Sequence, residues 1–69
     1  KYSEVIGDGV ATAIGVTHNL GSRSVIVSVH DASTYEEVEC DVVKTTTNEI
    51  TLTFETAPAS MSYVCTVIG

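Results

Sequence analysis

In SVIVSVH, residues 24–30, Val25, Val27 and Val29 alternate with Ile26, Ser28 and His30. Successive side chains of a strand point to opposite faces, so this two-residue period describes a strand with one face toward a core. Ile50, Leu52 and Phe54 repeat it against Thr51, Thr53 and Glu55. Val38, Cys40 and Val42 repeat it against Glu37, Glu39 and Asp41. These nine apolar residues form the expected core, which leaves few to line a pocket.

The spacing predicts six strands, at residues 2–6, 12–18, 24–30, 36–44, 49–55 and 62–68. Turn residues separate them: Gly7-Asp8-Gly9, Asn19-Leu20-Gly21-Ser22, Asp31-Ala32-Ser33-Thr34, Thr45-Thr46-Thr47-Asn48 and Ala57-Pro58-Ala59-Ser60. Pro58 bars a continuing inner strand. No segment carries a helical period. The expected fold is all-β, a small antiparallel β-sandwich of about six strands, immunoglobulin-like or jelly-roll-like. In the last strand Val64 and Ile68 lie opposite Cys65 and Val67, so it is apolar on both faces, as a central or partner-covered strand is.

The chain has 69 residues, a formal charge of −6 and nine acidic residues against three basic ones. A chain of this length makes one domain and buries only about 60% of the surface its unfolded form exposes. The charge argues against nucleic acid and anionic membranes, both of which need clustered Lys and Arg. No apolar run is long enough to cross a bilayer, so no membrane insertion is expected. The chain begins at Lys1 rather than Met, and we read residues 1–69 as a single domain cut from a longer protein.

Little in the chain is arranged for chemistry. Cys40 and Cys65 fit no zinc spacing and read as packed thiols, with a structural disulfide as the alternative. His18 stands at a strand end and is expected to cap the following turn with a ring nitrogen. His30 is expected on the surface. No nucleophile elbow is present. Glu37, Glu39 and Asp41 fall on one strand face, which suits a solvated edge, and the glycine and terminal Glu of a calcium loop are missing. No catalytic residue, metal site or cofactor is expected.

Residues 6–42, IGDGVATAIGVTHNLGSRSVIVSVHDASTYEEVECDV, resemble a small β-domain near the C-termini of tailed-bacteriophage virion proteins. The sharpest part is Thr17-His18-Asn19-Leu20-Gly21, and residues 57–69 are similar to the closing part of the same pattern. The chain departs from it at Ile14, usually aromatic, at Val64, usually charged, and at both cysteines. The resemblance implies a non-enzymatic module of a tail fibre, tailspike or capsid fibre in the virion, assembled in the host cytoplasm. Such modules are often homotrimers and serve adhesion, capping or assembly. Implied partners are further copies of the chain, other virion proteins and a host surface glycan.

On this reading, contact falls to the outward residues Ile26, Ser28, His30 and Val64, with Tyr35 added from a loop. An apolar Val64 on the outer face suits a contact between subunits. Two other readings compete. One is a carbohydrate-binding module of a cell-wall-acting enzyme. The other is an immunoglobulin-like bacterial adhesion domain, weakened by the missing tryptophan and the short Cys40–Cys65 spacing.

Overall fold

A computed structural model describes residues 1–69 as six strands: β1 (Tyr2–Ile6), β2 (Ala13–Thr17), β3 (Ile26–Asp31), β4 (Asp41–Val43), β5 (Glu49–Thr53) and β6 (Tyr63–Ile68). They form two three-stranded antiparallel sheets, ordered β1-β6-β3 and β2-β5-β4. The fold is therefore an all-β sandwich. First pairs with last and second with fifth, while β3 bridges to the chain ahead of β4 at His30 and Glu37. This is the nesting of a rolled hairpin, a jelly roll in miniature. The immunoglobulin order, which keeps the first two strands adjacent in one sheet, does not occur.

The alternation dictates what is buried. In β1-β6-β3 the inward rows are Tyr2–Val67–Val27 and Glu4–Cys65–Val29. In β2-β5-β4 they are Val16–Ile50 and Ile14–Leu52–Val42. Ile50, Leu52, Val16, Val67 and Cys65 are fully buried, and Ile6, Val25, Val29 and Phe54 complete the core. Phe54 stacks on Tyr63 with ring centroids 5.6 Å apart. Val27, Val38 and Cys40 pack against this core half-buried. Val42 is more open, because β4 is a three-residue edge strand.

One expected strand is divided. Residues 36–44 do not run as a single strand. Residues 36–38 lie along β3, with the Asp31 N–H donating to the Glu36 carbonyl at 2.8 Å and the Val38 N–H to the Val29 carbonyl at 2.9 Å. The chain then crosses to the other sheet and pairs as β4 with β5. The alternation is kept, but the hydrogen-bonding partner changes at Glu39 and Cys40. A corner of this kind lets one segment close the side of a sandwich.

The turns are held by side chains acting as local acceptors. Asp8 Oδ1 accepts the N–H groups of Val10 and Ala11, each at 2.8 Å. Gly7 has φ 111°, and a Cβ there would lie 2.3 Å from the Ala59 carbonyl oxygen, so only glycine fits. At the 18–21 corner, the Asn48 carbonyl accepts from the His18 and Asn19 N–H groups, and Asn48 Oδ1 accepts from Gly21.

Candidate recognition surface

The outer face of β1-β6-β3 is built by the residues between the core positions. Its rows are Ser3–Thr66–Ser28, Val5–Val64–His30 and Ile68–Ile26. Four of the five expected contact residues, Ile26, Ser28, His30 and Val64, therefore share one face. The fifth, Tyr35, reaches it from the following loop, its ring tilted 33° to that of His30 with centroids 5.8 Å apart. Sequence reading omitted Ser3, Val5 and Thr66 from this surface, and it placed Ile68 on the face of Val64 without adding it to the contact set. The signal was present, since each alternates with an inward neighbour in β1 or β6.

The face is apolar and open. Ile26 is 70% exposed, Val5 51% and Ile68 49%, while Val64 is half-buried between its neighbours. Ser3 Oγ and Thr66 Oγ1 hydrogen-bond across the strands at 3.1 Å. Within these three strands no carboxylate stands outward, although the chain carries −6; Glu37, bridged to His30, adds one at the β3 edge. The opposite face of the sandwich is different. Its outward positions include Thr17, Thr51, Thr53, Glu49 and Asp41, and Thr51 bonds Thr45 through their hydroxyls at 2.6 Å. That is an ordinary solvated sheet face.

Tyr35 is held in an unusual conformation. Its φ is 63°, a left-handed value that costs a bulky residue about 1–3 kcal/mol. The preceding turn imposes it. Asp31 Oδ1 accepts from Ser33 at 2.7 Å and Thr34 at 3.0 Å, and the Tyr35 N–H donates to the Asp31 carbonyl at 2.9 Å. The Thr34 and Ser33 amides hold the Asp31 carboxyl below its usual range, and His30 adds to this. The result is an aromatic ring 75% exposed at the end of the sheet face.

By their burial, His18 and the two cysteines belong to the scaffold. His18 is buried, and its Nδ1 accepts the Leu20 N–H at 3.0 Å, which is the turn-capping role expected of it. In the neutral ring the proton then lies on Nε2. Cys40 and Cys65 are both free. Burial first, then Cys40 and Glu4, pushes the Cys65 thiol up to about 11, the opposite of an activated nucleophile. A shallow hollow of about 530 Å³ brings Glu39, Asp41 and Glu55 near Phe54, and no group of three or more His, Cys, Asp or Glu side chains is placed to hold a metal ion. No helix is long and apolar enough to cross a membrane.

Comparison of the chain with protein-family models, with curated proteins and with solved structures finds no match in any of the three.

Proposed function

We propose that the chain is a non-enzymatic structural and binding module of a bacteriophage tail or capsid fibre, working as a homotrimer in adhesion, capping or assembly. The resemblance of residues 6–42 and 57–69 suggests the setting. The observation that carries the reading is the partly apolar outer face of β1-β6-β3, whose three strands carry no outward carboxylate, on a strongly acidic chain. Copies that each carry −6 repel one another, and the three strands of this face set no carboxylate between them, Glu37 standing only at the edge beside His30. Ile26, Ile68, Val5 and Val64 supply area to bury, and Ser28, Thr66 and His30 supply polar contacts. Repetition by symmetry then multiplies weak sites on the exterior, since linked sites gain from effective concentration.

Sedimentation of the chain at micromolar concentration tests this. A trimer is expected, converted to monomer by Ile26→Asp or Val64→Asp with the circular dichroism spectrum unchanged. A wild-type chain that stays monomeric up to millimolar concentration overturns the reading. The exposed Tyr35 ring beside His30 favours a second reading, the carbohydrate-binding module, because an aromatic ring with an open face suits stacking on a sugar. Glycan binding by a monomer, lost in Tyr35→Ala, would select it.

A further inference from the structure

The two sides of the sandwich are closed differently. On one side residues 36–38 lie along the free edge of β3 and set Val38 half-buried against the core. On the other side β1 and β2 are the edge strands of their sheets. Between them runs a groove of about 300 Å³. Ile6, Ala11, Ala13 and Ile14 line it, together with the carboxyl-bearing Glu4 and Asp8. Ile14 remains half-buried there, although it points inward.

The two carboxylates have only neutral partners. Glu4 sits at an inward position of β1, opposite Cys65, and accepts the Tyr2 hydroxyl. Asp8 accepts two backbone N–H groups, which hold its carboxyl below the usual range and keep it ionised.

The geometry points to β1 as the docking edge for an extended segment of a partner protein that carries a Lys or Arg between alternate apolar residues. Backbone hydrogen bonds add the segment to the sheet, as at other strand-addition sites. Its apolar side chains enter the groove beside Ile6 and Ile14, as Val38 does on the opposite side of the molecule. Its cation meets Glu4 and Asp8. The charge of −6 favours the approach of such a segment.

A second copy of β1 is the wrong occupant. Antiparallel pairing centred on Glu4 would set two Glu4 carboxylates directly opposite each other, which is destabilising. The same side chain thus rejects a copy of its own strand and accepts a basic one. This edge lies apart from the outer-face contact through Ile26, and the inference stands independently of the fibre reading.

The test titrates the ¹⁵N-labelled chain with two capped peptides, Thr-Val-Thr-Lys-Thr-Val-Thr and the same sequence with Glu in place of Lys. The Lys peptide is expected to shift the amide signals of Ser3, Glu4, Val5 and Ile6, to slow their hydrogen exchange, and to bind about tenfold tighter than the Glu peptide. Glu4→Gln should narrow the preference, Glu4→Gln with Asp8→Asn should level the two peptides, and Glu4→Lys should reverse their order. Equal responses to both peptides, shifts away from β1 and β2, or no shifts at millimolar peptide would overturn it. The Glu4→Gln, Asp8→Asn double variant decides the matter if Glu4→Lys does not fold.

Discussion

The Nδ1 of His18 accepts the Leu20 backbone N–H at 3.0 Å, so a buried imidazole fixes the turn that ends β2. His18→Ala removes that acceptor and leaves a hole beside the core. The expected loss is about 2–4 kcal/mol. His18→Asn restores an acceptor and should recover part of it. Urea unfolding midpoints of the three proteins check this, with the ordering wild type, then Asn, then Ala.

Gly7 and Gly9 both have positive φ, but only Gly7 is sterically closed. Gly7→Ala drives a methyl into the Ala59 carbonyl, whereas a methyl at Gly9 meets nothing within 4 Å. Gly9→Ala should cost about 1 kcal/mol from backbone strain alone, and Gly7→Ala clearly more. Melting temperatures of the two variants rank them, and equal losses would contradict the close approach.

The thiols should differ in reactivity. Burial and the Asp41 charge raise the value of half-buried Cys40, and fully buried Cys65 is pushed up to about 11. At pH 8 a thiol reagent should modify Cys40 slowly and Cys65 only after unfolding. The folded Cys65 value lies above its ordinary 9.0, so the folded state holds the proton more tightly. Its stabilising effect is complete below pH 9 and is lost as pH rises through 11. Cys65→Ser should flatten the alkaline fall of a stability-against-pH curve while lowering its plateau.

Asp8 and Asp31 work in the opposite direction. Backbone N–H groups lower both carboxyl values below 3.8, so their contribution is present above that pH and fades as pH falls below it. Asp8→Asn and Asp31→Asn keep the acceptor oxygen and remove the charge. Each variant should show a shallower acid limb than the wild type in denaturant titrations between pH 5 and pH 2. An unchanged limb would mean that the two turns do not favour the ionised form.

The sandwich was legible because residues 49–54 alternate apolar and polar throughout and residues 24–30 do so except at Ile26, and the turn role of His18 because a polar ring ends an apolar row. The outer face could also be read once Val64 was seen opposite Cys65. Two features could not be. The valines and cysteine of residues 38–42 keep their period while the chain changes sheets, because the period reports which face a side chain takes and not which strand it bonds. The left-handed Tyr35 carries no local signal either. A tyrosine is among the residues least expected there, and the Asp31 turn forces it from outside.

Tyr2 and Val67 face each other across β1 and β6, so the outer ends of these two strands lie side by side. Tension applied across those ends would peel β1 away one hydrogen bond at a time, like a zip, rather than break the row together in shear. Such a module bears little longitudinal load by itself. Strength along a filament would have to come from neighbours clamping β1 in place.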